Sequence, residues 1–260
     1  MAFIEVERIG QGGYIANVIL NRPEMRNAFN TEMARLLLDT MNSVARSDAR
    51  VVLLSSSNSK AFCSGADLKE RNGMTDHEWR EQHKLFEDMF NAIADMPQPV
   101  IAVVDGYAVA GGFELVLNCD MLVAATTATF GLPEVTRGIM PGGGGSRLLP
   151  KRIGMHRAKE WLCTGRMVGA EEAERAGLLN RLASPENTFA AAMEIAAKIA
   201  ENAPLAVQNC KLSADSLFGM EDGQARIREI EFYNKCVDTE DRLEGVRAFV
   251  EKRPPRFVGK

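Results

Sequence analysis

Between Pro97 and Ala125 the chain reads as strand, glycine turn, helix and strand again, an order that admits few folds. Val100-Ile-Ala-Val-Val104 is a short, unbroken apolar run behind two prolines that stop the preceding helix, as expected of a buried strand. Gly111 and Gly112 then open Phe113–Asn118, which reads as a helix, and Met121–Ala125 is a second apolar run. Strands separated by helices predict an α/β layer with right-handed crossovers.

The flanking segments extend the pattern. Ile4–Ile9 and Tyr14–Leu20, split by Gly10-Gln-Gly-Gly13, predict a hairpin. Thr31–Ala45 carries Met33, Leu36, Leu37, Met41 and Val44 at helical spacing behind Asn30, a suitable N-cap. Arg50–Ser55 predicts a strand. Asp76–Met96 predicts a long helix with Trp79, Leu85, Phe86, Met89, Phe90 and Ile93 packed. Beyond Pro150 five segments are helix-like, and Thr239–Lys252 adds an amphipathic stretch before Pro254-Pro255. The organisation drawn from this is a mixed-sheet core over residues 1–190 and a helical region over 191–260.

Composition excludes several functions. A net charge of −4 leaves no electrostatic footprint for nucleic acid, although a local basic patch could hold a phosphorylated ligand. The five cysteines contain no Cys-x-x-Cys pair and no zinc spacing, which predicts free thiols and no metal centre. No run approaches the roughly 18 apolar residues of a membrane helix. The N-terminus has neither signal-peptide nor transit-peptide character, so a cytoplasmic protein is expected.

Glu114 and Glu134 are the candidate catalytic pair. Each stands beside a glycine-bearing turn, and two carboxyls facing one small substrate can divide the roles of acid and base. Unpaired N–H groups at the start of the helix bearing Glu114 can meet a developing negative charge. Taken singly, each glutamate is more often a solvated surface acid than a catalyst, and only the combination with the glycines and the motif order argues for chemistry. Gly142–Gly145 ends in Ser146-Arg147 and lacks the lysine of a nucleotide loop, so a flexible pocket wall is expected there. His77, His83 and His156 read as surface residues, Cys63 as a small packed side chain, and Asp120 as a local cap or ion pair.

Three loops together resemble the enoyl-CoA hydratase, or crotonase, superfamily: Ala61-Phe-Cys-Ser-Gly-Ala-Asp-Leu-Lys69, Asp105-Gly-Tyr-Ala-Val-Ala-Gly-Gly-Phe-Glu-Leu115, and Gly131-Leu-Pro-Glu134 followed by Gly138–Gly145. The similarity spans nearly the whole chain. It implies a spiral of ββα units with a C-terminal helical region that forms homotrimers or homohexamers, the latter as dimers of trimers. It also implies an acyl-CoA substrate, with CoA part of the substrate and no separate cofactor.

Residue by residue, the resemblance makes the N–H groups of Ser64 and Gly111 an oxyanion hole for the thioester carbonyl. Glu114 and Glu134 become the pair that adds water across a double bond. Arg26, Ala66, Asp67, Leu68 and Lys252 become CoA contacts. The implied activity is reversible hydration of a trans-2-enoyl-CoA. Gly65–Arg71, Ile139–Gly145 and Glu251–Arg256 look most like the methylglutaconyl-CoA hydratase branch; enoyl-CoA isomerase and carnitinyl-CoA dehydratase are the nearest alternatives. An RNA-binding or protein-binding homologue without turnover is a further one. The helix at Thr31–Ala45, however, has Arg35 and no lysine, so RNA binding does not carry over.

Overall fold

The computed structural model describes residues 2–260. β1 (Ile4–Ile9) and β2 (Ile15–Leu20) form the expected antiparallel hairpin, with Ile4 opposite Leu20. α1 (Thr31–Ala45) follows behind Asn30, whose side chain accepts from the Met33 N–H. The chain then repeats one unit three times. β3 (Val51–Ser56), β4 (Ala61–Cys63), the short α2 (Leu68–Arg71) and α3 (Asp76–Ala94) form the first turn. β5 (Val100–Val104), β6 (Tyr107–Val109) and α4 (Gly111–Leu117) form the second. β7 (Met121–Ala125), β8 (Thr129–Gly131), a 3-10 turn at Pro133–Arg137 and α5 (Gly145–Ile153) form the third.

In each unit the first strand joins one sheet and the second strand another. The first sheet, β1-β2-β3-β5-β7-β10, has six strands; the second, β4-β6-β8-β9, has four. β3, β5 and β7 are parallel neighbours, as are β4, β6 and β8. This is the α/β spiral of ββα units that the resemblance implies. After it come α6 (Met155–Thr164), β9 (Val168–Gly169), α7 (Ala170–Arg175), β10 (Arg181–Ala183), α8 (Thr188–Glu201), α9 (Pro204–Leu217), α10 (Asp222–Val237) and α11 (Glu240–Glu251).

The central strands are apolar over most of their length because both faces of the first sheet are covered. Val52, Leu54, Val100, Ala102 and Val104 enter the core inside the spiral. Val51, Leu53, Ile101 and Val103 point the other way, onto Ala192 and Ala196 of α8. A line at residue 190 therefore falls inside a helix that packs on the sheet. Helix boundaries were largely readable, but some packed positions shift. Leu36 is exposed while Ala34 is buried, and Gln82 takes a buried place in α3 beside Phe86, Met89, Phe90 and Ile93. The stop of α3 comes at Ala94, and its start is fixed by a reciprocal capping box between Thr75 and Glu78.

Candidate active site

The second turn of the spiral presents Glu114. Gly112 has no room for a side chain, since a Cβ there would overlap the Cys63 carbonyl, so α4 starts directly against β4. Ala110, at φ 52° and ψ −129°, holds a backbone conformation that costs a non-glycine residue strain. That turn brings Gly111 N–H and Glu114 into a cavity of about 250 Å³. Gly65, at φ +91°, faces this turn, and a Cβ on it would lie 3.0 Å from the Gly111 nitrogen. Glycine at 65 thus keeps the Gly111 N–H open, and that donor has no acceptor among the described residues.

Glu114 is 4 % exposed, and its Oε1 accepts the N–H groups of Gly143 at 2.7 Å and Gly145 at 2.9 Å. Asn118, one helical turn on, donates from Nδ2 to the Gly143 and Glu114 carbonyls. The four-glycine segment, expected as a flexible wall, is therefore tethered to Glu114, and Gly145 already belongs to α5. Burial raises the Glu114 pKa above its ordinary value, partly opposed by the N–H groups of Gly145, Gly143 and Gly142. Oε2 has no hydrogen-bond partner among the described residues and is the oxygen left for a substrate or water.

Glu134 enters from the 3-10 turn after β8, 7 % exposed. Its Oε2 is buried without a partner. Burial, first, and the nearby Glu114 charge push its pKa up from 4.5 to about 7, against a lowering by its own backbone N–H. Two carboxyls with different surroundings thus share one cavity, one fixed by the glycine N–H groups and one whose Oε2 is buried without a partner.

Ser64, Ala66 and Leu68 line the same cavity. Ser64 N–H also donates to the Arg26 carbonyl at 3.1 Å. Arg26 itself is exposed, in a left-handed turn, and its side chain is not part of the cavity wall. Asp67 is buried behind that wall: it caps α2 at Lys69 N–H and pairs with Arg22 Nη1 at 2.8 Å. Burial raises its carboxyl, but Arg22 and the Lys69 and Glu70 N–H groups outweigh this and hold it below the ordinary range. Lys252 caps α11 in a left-handed conformation and does not reach the cavity of its own chain.

Two neighbours, His83 and Arg71, are not marked by the sequence. His83 is half-buried in the cavity wall rather than at the surface, packed so that a Cβ on Gly142 would meet its ring at 2.5 Å. Arg71, the last residue of α2, and Phe86 also line it. Apolar residues on a helical period signal burial; a lone arginine or histidine at such a position does not. Cys63 is packed as expected, fully buried, with its thiol pushed up to about 12 by burial. Asp120 pairs across the fold with Lys211 of α9, not locally. Among the described residues no cluster of metal-ligating side chains occurs and no helix is long and apolar enough to cross a membrane.

Residues 10–260 match the model of the enoyl-CoA hydratase/isomerase family. The chain is 39% identical over 249 residues to a putative enoyl-CoA hydratase/isomerase, YngF, of Bacillus subtilis, covering 95% of both. It is 36% identical over 247 residues to a crotonyl-CoA hydratase of Syntrophomonas wolfei, again covering 95% of both. The crystal structure of an enoyl-CoA hydratase from Bacillus anthracis superposes with a TM-score of 0.96 at 36% identity, covering 100% of each chain. Fold, motifs and relatives agree: the chain belongs to the enoyl-CoA hydratase/isomerase, or crotonase, family.

Proposed function

We propose that the protein is an enoyl-CoA hydratase that adds water reversibly, on one face, to a trans-2-enoyl-CoA to give the 3-hydroxyacyl-CoA. The observation that carries this is the unlike pair in one cavity: Glu114 anchored through Oε1, and Glu134 with its Oε2 buried without a partner and its pKa raised to about 7. Glu114 Oε2 takes a proton from the water as its oxygen bonds to the β carbon. Glu134, protonated, delivers its proton to the α carbon, and a proton passing from Glu114 to Glu134 resets the pair.

Charge that develops on the thioester oxygen is met by Gly111 N–H and by Ser64 N–H, the latter shared with the Arg26 carbonyl. Removing a donor of this kind costs on the order of 100-fold or more in rate. Ala66, Asp67 and Leu68 are proposed to hold the adenine end of CoA through their backbone, with Arg26 and Lys252 near its phosphates. CoA belongs to the substrate and no other cofactor is invoked.

A homotrimer or homohexamer fits two features. Lys252 requires a neighbouring chain to act at a cavity, and α10 and α11 expose Ile227, Ile230, Tyr233, Phe249 and Val250, an apolar surface typical of an interface. A cytoplasmic location is part of the proposal; some relatives are named as mitochondrial proteins.

The test is loss of conjugated enoyl-thioester absorbance with crotonyl-CoA, longer 2-enoyl-CoAs and 3-methylglutaconyl-CoA, for the protein and its Glu114→Gln and Glu134→Gln variants. Hydration that falls by several orders of magnitude in both variants, with CoA thioesters still bound, supports the assignment. Near-normal turnover in either variant contradicts it. Binding without turnover on any substrate points to isomerisation or to a carnitine-linked acyl group.

A further inference from the structure

No other residue holds the carboxyl of Glu134. Its Oε2 is buried without a hydrogen bond, and among the described residues the one donor it meets is its own backbone N–H. Glu114, by contrast, is gripped by Gly143 and Gly145. The aim of Glu134 therefore depends on where the 3-10 turn Pro133–Arg137 lies. Val135, Thr136 and Arg137 face solvent, and the inner side of the turn rests on the loop between α6 and β9. Gly165 of that loop stands so close that a Cβ on it would lie 3.2 Å from Pro133 Cα and 3.1 Å from Val135 Cγ2. Gly131, at the end of β8, has no more room: a Cβ there would meet Met167 Sδ at 2.6 Å and the Arg166 carbonyl at 3.3 Å.

The loop is itself fastened from outside the cavity. Arg166 Nε donates to Glu160 Oε1 of α6 at 2.8 Å, Nη1 to Glu172 Oε2 of α7 at 3.0 Å, and Nη2 to Glu172 Oε1. One guanidinium thus ties the helix before the loop to the helix after it, with Glu172 taken by both arms of the fork. Isolated surface ion pairs contribute little; a bidentate arginine shared by two carboxylates is the geometry in which they do contribute. The Arg166 hydrogen bonds accordingly hold the Glu172 carboxyl below its ordinary range. None of the three side chains lines the cavity, and none is among the charges that act on Glu134. Their route to the chemistry is mechanical, through the loop and the turn.

We infer that Arg166, with Glu160 and Glu172, is a positioning residue for Glu134: the ion-pair clamp seats the α6–β9 loop, and the loop sets the turn that aims the carboxyl at the α carbon. This rests on the hydratase reading only in that Glu134 delivers the α-carbon proton. A displacement of about 1 Å can cost on the order of 100-fold in rate even when its cause lies far from the chemistry. Loosening the clamp should reach kcat before it reaches substrate binding, since the proposed CoA contacts Ala66 and Asp67 lie between β4 and α2, on a different part of the spiral.

The experiment compares Arg166→Met, Arg166→Lys and Glu172→Gln with the unsubstituted protein, each held well below its own melting temperature. Hydration of crotonyl-CoA is followed at steady state, and Glu134 is titrated by NMR with labelled glutamate. The expected result in Arg166→Met is a fall in kcat of about tenfold or more with KM little changed, recovered in part by Arg166→Lys. Unchanged kcat in a variant whose melting temperature has dropped would overturn the inference and leave the clamp a stability element only. The titration separates movement from charge, because Arg166→Met removes a positive charge and Glu172→Gln a negative one. A Glu134 titration displaced in the same direction by both marks a shifted turn and sustains the inference. Opposite displacements would mark a field effect, and no displacement an undisturbed turn; either refutes it. The titration needs no turnover, so it decides the role of Arg166 even if the unsubstituted protein hydrates no enoyl-CoA and the hydratase reading itself fails.

Discussion

The Gly143 N–H lies 2.7 Å from Glu114 Oε1, so the loop that closes the cavity is also what aims its best-anchored carboxylate. Asn118 Nδ2 holds the other side of that contact through the Gly143 carbonyl, at 2.7 Å. Asn118→Ala is expected to cost about 1–3 kcal/mol of stability, because it strips a donor from buried carbonyls. Its larger effect should be a fall in kcat on an enoyl-CoA of more than tenfold with KM little changed. Thermal melting and steady-state kinetics together check this; a fall in KM affinity with kcat intact would mean the loop positions substrate rather than Glu114.

Glu134 should titrate near 7 in the folded protein, raised from 4.5 by burial and by the Glu114 charge. A folded-state pKa above the unfolded value means that the folded state binds the proton more tightly. Its contribution to stability is therefore complete below about 4.5 and is lost as pH rises through about 7. Hydration, which starts from the protonated acid, should decline over the same upper limb. Glu114→Gln removes one of the raising influences, so NMR titration of labelled glutamate should show the Glu134 pKa fall in that variant. An unmoved titration would show that the two carboxyls do not sense each other.

Gly112→Ala should be severely destabilising, since the new methyl group would overlap the carbonyl carbon and oxygen of Cys63. Backbone atoms cannot rotate away, and overpacking of this kind costs about 1–3 kcal/mol or more. The lowered melting temperature should be accompanied by lost hydration, because α4 would be driven off β4 and carry Gly111 and Glu114 with it. Wild-type stability in this variant would refute the close approach.

Lys211 Nζ lies 2.8 Å from Asp120 Oδ2, and that same oxygen accepts the Val100 N–H, so α9 is fastened to the start of β5. The Lys211 side chain is 7 % exposed and that of Asp120 20 %, so removing the lysine strands a largely shielded carboxylate. Lys211→Met should cost about 3–5 kcal/mol, and the Lys211→Met/Asp120→Asn double variant distinctly less. Denaturant unfolding of the three proteins measures this directly; equal losses in the single and double variants would deny the pairing.

The long elements were legible because each carries a period or a cap. Asn30 caps α1, Pro97 and Pro99 separate α3 from β5, and the alternating faces of Val100–Val104 need only a run of apolar residues. The second sheet was not legible locally. Ala61–Cys63, Tyr107–Val109, Thr129–Gly131 and Val168–Gly169 are two or three residues long, too short to show a period of two, and they exist because neighbouring turns of the spiral pair them. α5 was hidden by an opening glycine and by Pro150 inside it. At the site, Glu114 and Glu134 stood out through their glycine-bearing motifs, whereas Arg71 and His83 look like ordinary helix-surface residues until the fold turns them inward. Lys211 gave no local sign that its partner was Asp120.

The most direct test of the central claim is to convert crotonyl-CoA in water labelled with heavy oxygen and to analyse the thioester by mass spectrometry, with Glu114→Gln alongside. The account predicts one labelled hydroxyl at the β carbon, formed rapidly by the unsubstituted protein and slower by several orders of magnitude in the variant. Turnover of the enoyl thioester without uptake of label, or uptake that does not depend on Glu114, would contradict it.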